Sequence, residues 1–452
     1  MKKLMLICAP VSSRSGYGDH ARDLVRSFIN HNKYDVKILD VPWGDCPRNA
    51  LNPKNGNDTK IINCILPEPR MNQQPDIYVD IRIPNEFQTY GKINIGITAG
   101  IETNAVSQAW IEGCNKMDLI IVPSEHSKDG FANALYEKMQ NLPNGKQQKI
   151  GELKLQKPIE VLFEGTDEDV YKPIDDSSLD LVDDIKEDFC FLHIGQWTKG
   201  GYGEDRKDIA KMIKLFYEAF ANKKKQPALI LKTNGATYSI MDREECLKKI
   251  NSVKSMFPKD WNLPNVYLLH GSLSSEEMNK LYNHPKVKSF VSLTHGEGFG
   301  RPLLEATMTG LPVIASGWSG HLDFLSKEDS MVIAGQLKPV PKSMHWKDII
   351  IKESQWFNVN ETQAYKAMNY CFNNHSEVKE KALNLMKINR KKFTLNKMTE
   401  KLDEIITPLI DKVPTQVGLN LPKLKKVDGS NTPSINLPKL KKVGNNNQAP
   451  KL

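Results

Sequence analysis

The stretch HGEGFGRPLLEATMTGLPVIAS, His295–Ser316, decides how the rest of the chain is read. The apolar run KSFVSLT ahead of it reads as a buried strand, and PLLEATMTG after it as a helix. Pro302 suits a first helical turn, where the missing N–H has no intrahelical partner to lose. Glu297 is then expected in the loop at the carboxyl end of the strand, and Glu305 in the first turn of the helix. Each has an ordinary explanation. An acid in a first turn interacts favourably with the helix dipole, by about 0.3–1 kcal/mol, and an acid in an exposed loop needs no explanation. Loops at strand carboxyl ends are, however, where α/β proteins place functional residues.

Working outward, short apolar runs alternate with amphipathic segments. LMLICAP, YDVKILDV, PDIYVDIRI, KINIGITAG and DLIIVPS read as strands; HARDLVRSFINH, AVSQAWIEGCNKM and KDGFANALYEKMQ read as helices. The polar segment 164–188 interrupts the rhythm. It then restarts with FCFLHIG, DIAKMIKLFYEAFAN, PALILKTN, REECLKKINSVKSMF, NVYLLHG and SSEEMNKLYN. The expectation is an α/β protein with two doubly wound Rossmann-like domains facing a cleft. Its expected parts are an N-terminal domain over 1–175, a second domain over 176–376, a helical segment over 377–411 packing back towards the first domain, and a disordered lysine-rich tail over 412–452.

Composition narrows the class. Seven scattered cysteines with no CxxC pair argue against a disulfide framework and a zinc site, and for reduced thiols in the cytoplasm. No run of 18 apolar residues suggests a membrane span, and MKKLMLICAPV reads as a first strand. The net charge of +8 is mostly in the tail, where seven lysines against one aspartate lie between Pro414 and Leu452. There NLPKLKKV occurs at 420–427 and again at 436–443. Without aromatic residues the tail cannot bury much; it is either a solvated appendage or a docking arm for a polyanion or a protein.

Gly16, Tyr17 and Gly18, with Ala21, formally match G-x-G-x-x-A, and Asp40 ends the second strand at the spacing of a ribose-binding acid. That pattern allows an NAD-dependent oxidoreductase. Against it, PVSSRS separates the strand from the first glycine, giving a long loop where a dinucleotide fingerprint needs a tight turn.

Glu297 and Glu305, with GFGRPLL between them and EATMTGLPVIASGWSGHLDFL after, resemble the E-x7-E signature of the retaining GT-B glycosyltransferases of family four, the glycosyl transferases group 1. The resemblance implies that Glu297 contacts hydroxyls of a donor sugar and Glu305 the nucleotide ribose, a diol that a carboxylate suits because its two oxygens accept from both hydroxyls. Gly298, Phe299 and Gly300 would bring backbone close to the sugar and phosphates. In GQWTKGGYGEDRKD, 195–208, Arg206 and Lys207 match the cations that the family sets on the donor diphosphate. Asp208 stands where a glycine is usual, and adjacency of the two cations leaves open which phosphate each would meet. EVLFEGTDEDVYKPI, 160–174, is similar to the family's interdomain connection, and GITAGIET to an acceptor-side strand end, with Glu102 where relatives carry a histidine. Glu102 is therefore either a catalytic group or a structural strand-end acid. His126 and His295 are weaker candidates. Ser272 and Leu273, in GSLSSEEM, are candidates for contacting the base.

The implied reaction is metal-independent transfer of a hexose from a UDP- or GDP-sugar, with retention, to an acceptor hydroxyl of a glycan or other glycoconjugate. The donor would be a substrate, and no cofactor is implied. The acceptor is not legible in the sequence. Glycosylation of modified nucleic acid bases and a catalytically silent binding module of the same fold stay open.

Overall fold

The computed structural model describes residues 2–141, 147–198, 201–235 and 237–412. The expected tail, with both copies of its repeat, lies outside the described residues.

Strand periodicity sets the sheets. In Lys3–Ala9, Met5, Ile7 and Ala9 enter one core while Leu6 and Cys8 enter another. This two-residue alternation puts successive side chains on opposite faces. The first sheet has six parallel strands in the order Tyr34–Asp40, Lys3–Ala9, Ile77–Ile81, Ile93–Ile97, Leu119–Val122, Ile159–Val161. The second also has six parallel strands, ordered Val266–Leu269, Ala228–Asn234, Cys190–Gln196, Val287–Ser292, Val313–Ser316, Met331–Ile333. Along Ala228–Asn234, Leu229 and Leu231 join one core and Ala228 and Ile230 the other, so this sheet is covered on both faces, as parallel sheets require. The doubly wound, two-sheet α/β fold is thus the observed one.

Three helices follow the second sheet. Glu361–Asn373 packs Ala364, Met368 and Cys371 into that sheet's core. His375–Lys392 continues over it. Leu395–Ile410 instead delivers Met398, Leu402, Ile406 and Ile410 into the core of the first sheet. Thr166 anchors the crossing: its N–H donates to Phe393 O (3.0 Å) and its carbonyl accepts from Leu395 N (2.9 Å). Among the described residues no helix is long and apolar enough to cross a membrane, and all seven cysteines are unbridged.

Two expectations are corrected. KDGFANALYEKMQ is not one helix. The helix Glu125–Ala132 ends there, and Leu135–Asn141 pairs with Gln147–Lys154 as an antiparallel hairpin outside both sheets. Phe131, Leu135 and Met139 have helical spacing, but only Phe131 is buried, while Leu135 and Met139 stay exposed. The anchor after Phe131 is instead Tyr136, whose hydroxyl donates to the Val106 carbonyl. The N-terminal helix begins at Gly16, not at His20, because Ser15 caps it by accepting from the Gly18 amide (3.1 Å). A second hairpin, Gly335–Pro339 with Gln355–Val359, was not legible in the sequence.

Leu402 is fully buried where the last helix meets the first sheet. Leu402→Ala is expected to lower unfolding free energy by about 2–5 kcal/mol, measured by urea denaturation, with the m-value unchanged.

Candidate functional site

In the second sheet the strand order reverses between Cys190–Gln196 and Val287–Ser292, and open α/β sheets bind ligands at the carboxyl ends beside such a reversal. The loops leaving these two strands carry Arg206 with Lys207, and Glu297. They are tied together by the His295 amide, which donates to Arg206 O (2.9 Å). Asp208 caps the helix Ile209–Phe220 in the left-handed region, at φ 51°. A glycine would adopt that backbone freely and an aspartate tolerates it, so the substitution at this position keeps the turn. Its carboxylate pairs with Lys211 (2.6 Å) and faces His295 Nε2 (3.5 Å). His295 is buried, its Nδ1 2.7 Å from Phe357 O and its ring stacked on Trp356; these contacts hold the loop.

Arg206 and Lys207 are each met by carboxylate. Lys207 Nζ lies 2.6 Å from Glu297 Oε1. Arg206 Nη1 donates to Gly296 O (3.0 Å) and lies 3.4 Å from Glu297 Oε2, while its Nε reaches Glu102 Oε2 (2.9 Å). Glu102 belongs to the first half of the chain, so the guanidinium bridges the two halves. Burial opposes ionisation of Glu297, but Lys207 and Arg206 outweigh it and hold the carboxyl down at about 2. Glu102 is the less enclosed of the two carboxylates. Its side chain is 43 % exposed against 9 % for Glu297, so it is the more readily displaced of the two. Two cations compensated by two carboxylates form a site that an entering diphosphate can occupy by replacing the carboxylates.

Glu305 is the fifth residue of the helix Arg301–Met308, just past the first turn in which the sequence suggested it. It is too deep for the helix-end dipole, whose effect is confined to the first turn. Instead Arg301 Nε donates to Glu305 Oε1 (3.0 Å) and Tyr282 OH to Oε2 (3.0 Å). One partner on each oxygen fixes the carboxylate and leaves further acceptor capacity. Arg301 Nη1 also reaches Asp23 Oδ2 (2.6 Å), on the N-terminal helix. Glu164, buried nearby, is raised to about 8 by burial, with Arg301 opposing and Asp23 adding to the shift.

Gly296 and Gly298 allow the halves to touch. A Cβ on Gly296 would overlap the Glu102 carbonyl oxygen, and one on Gly298 the Ala99 carbonyl oxygen. Ser124 Oγ donates to Gly298 O (2.6 Å). Gly300 caps the next helix at φ 100°. Phe299 is buried against Phe324, so only its backbone faces the loop. Gly16, Tyr17 and Gly18 form the first turn of a helix rather than a loop ahead of one. Tyr17 stacks on Trp43, accepts from the Ala99 amide (3.0 Å) and meets Thr98 Oγ1 (2.8 Å). Asp40, the acid of the dinucleotide pattern, is bound to Arg48 (2.8 Å) and to the Ser12 amide (3.2 Å). Ser272 accepts from Arg14 (2.8 Å), while Leu273 packs on the second core. Among the described residues no three His, Cys, Asp or Glu side chains group as metal ligands.

Residues 206–352 match the family described as glycosyl transferases group 1. No curated protein matches the chain in sequence. Among solved structures it is similar to HepE of Anabaena in complex with UDP and glucose, at 13 % identity and TM-score 0.57 over 90 % of this chain and 100 % of that one. It is also similar to sucrose-phosphate synthase of Thermosynechococcus elongatus, at 11 % identity and TM-score 0.60 over 91 % and 100 %. A glycosyltransferase of Rickettsia africae matches at 13 % identity and TM-score 0.56 over 91 % and 99 %. At these identities the likeness is one of fold.

The raised carboxyl of Glu164 sets a pH dependence. Its folded value of about 8 lies above the unfolded value of about 4.3, so the folded chain holds the extra proton between them. Stability is lost as pH rises through that window. Glu164→Gln, which cannot titrate, is expected to gain on the wild type in melting temperature as pH goes from about 5 to about 9.

Proposed function

We propose that the chain, whose residues 206–352 match the glycosyl transferases group 1 family, is a metal-independent, retaining hexosyltransferase. Its donor is a UDP- or GDP-sugar and its acceptor a hydroxyl of a glycan or other glycoconjugate. The observation that carries this reading is the pair Arg206 and Lys207 at the strand-order reversal, each held by a carboxylate. The fold-level likeness to a protein solved with UDP and glucose favours UDP as the first nucleotide to try.

In this reading the donor diphosphate takes Arg206 and Lys207 from Glu102 and Glu297. Arginine offers two parallel donors to phosphate oxygens, lysine a point charge. Glu305, already fixed by Arg301 and Tyr282, accepts from the ribose hydroxyls. Glu297, once released, accepts from hydroxyls of the sugar. The bond from the anomeric carbon to the diphosphate oxygen breaks, and the acceptor oxygen bonds to that carbon on the same face. The acceptor proton passes to the departing diphosphate. Negative charge grows on the leaving group, and fixed cations aimed at it lower the barrier. Glu102, freed from Arg206, is a carboxylate available to the positive character at the anomeric carbon. The close apposition of the halves at Gly296 and Gly298 would keep water from the donor.

A panel of nucleotide sugars scored by thermal shift and product formation tests this. UDP or GDP is expected to raise the melting temperature, and Glu305→Ala to remove that shift. Lys207→Ala is expected to lower kcat by about 10²- to 10³-fold. No shift with any nucleotide would overturn the reading.

A further inference from the structure

Beside the loop that carries Arg206 and Lys207, two hydrogen-bond acceptors are buried face to face. His295 Nδ1 lies 2.7 Å from the Phe357 carbonyl oxygen. A carbonyl only accepts, so Nδ1 carries the ring proton and Nε2 of the neutral imidazole is an acceptor. That nitrogen lies 3.5 Å from Asp208 Oδ2, and both side chains are 1 % exposed. We propose that His295 and Asp208 are a proton-accepting pair, and that a diphosphate entering beside Arg206 and Lys207 draws a proton from solvent onto it. The inference rests on the donor reading above.

Among the described residues, neither His295 Nε2 nor either Asp208 oxygen has a hydrogen-bond partner. Lys211 meets Oδ2 as an ion pair, at 2.6 Å. Two buried acceptors left opposite each other are costly. A water linking Nε2 to Oδ2 would hold them roughly 4.5 Å apart, too wide for the 3.5 Å between them. A proton on Nε2 fits, because it turns one acceptor into a donor. The carboxylate is there because residue 208 is aspartate, where the resembled pattern has glycine.

The surrounding charges keep that proton off in the free chain. Burial lowers the His295 imidazole; Asp208 and the Phe357 carbonyl pull it up, and Lys211 and Arg206 push it down. The balance lies below the ordinary value, so the ring is neutral at pH 7. The strand Gln355–Val359 brings Trp356 and Phe357 against the ring, neither of them charged. A diphosphate shifts this balance. One added negative charge within roughly 10 Å in an enclosed site favours the imidazolium by about one pH unit. By reciprocity the protonated chain binds the nucleotide about tenfold tighter. Nε2–H then donates to Asp208, which His295 and Lys211 share. The His295 amide holds Arg206 O (2.9 Å), so His295 and Asp208 are positioning residues that act through the loop.

Imidazole nitrogen NMR on the full chain, titrated with pH in the presence and absence of UDP, tests the inference. His295→Gln identifies the His295 signals by their loss. Without UDP the ring is expected to show the Nδ1–H tautomer at neutral pH and a midpoint below about 6.5. Saturating UDP is expected to raise that midpoint by about one pH unit. Asp208→Asn keeps a residue that tolerates the left-handed backbone at φ 51°, and is expected to lower the midpoint. Asp205, lifted to about 6 by burial, titrates in the same range, so the ring signals are read in place of total proton uptake. A midpoint unmoved by bound UDP, or unmoved by Asp208→Asn, would overturn the inference. Absence of UDP binding overturns the donor reading and the coupling with it; a midpoint that still falls in Asp208→Asn then supports the pair alone.

Discussion

Two adjacent cations on one loop, Arg206 and Lys207, need negative charge, and the way they obtain it organises the region around them. Lys207 takes Glu297 from its own half, and Arg206 spans to Glu102 on the other. Desolvated like charges side by side would be costly without these partners. The same need makes the place receptive to a diphosphate, which brings negative charge in a geometry that arginine and lysine both accept. In the proposed function, compensation in the free chain and recognition of the donor are one electrostatic requirement met in two ways.

The fold supplies the positions. Reversal of strand order puts the two loops side by side, and the bond from His295 to Arg206 O locks them. Gly296 and Gly298 let the backbone of one half rest on that of the other, with Ser124 bonded across. A second line of charge, Asp23–Arg301–Glu305, crosses between the same halves. Polar contacts between the halves therefore lie beside the space where a donor would sit, and the helix Leu395–Ile410, which follows the helices on the second sheet, packs into the core of the first.

Much of this was legible in the chain. Buried strands announce themselves as apolar runs, and the E-x7-E spacing with an RK pair points to Glu297, Glu305, Arg206 and Lys207. Partners distant in sequence were not legible: Asp23 and Arg301 lie 278 residues apart, and nothing local marks Glu164 or Tyr282. Local pattern also misled where tertiary contacts overrode it. Leu135 and Met139 have helical spacing yet belong to a hairpin, and the glycines at 16 and 18 imitate a loop but open a capped helix. Depth was misjudged at Glu305, because Gly300 caps a helix that Pro302 only suggests. The hairpins outside the two sheets carry no motif, so they stayed silent in sequence.

If the carboxylates and the diphosphate compete for the same cations, removing the more exposed carboxylate must favour the diphosphate. Calorimetric titration of UDP into Glu102→Gln and into the wild type is the most direct measurement. Tighter binding by the variant, about tenfold or 1.4 kcal/mol, is the expected result. Equal or weaker binding would contradict charge exchange at Arg206.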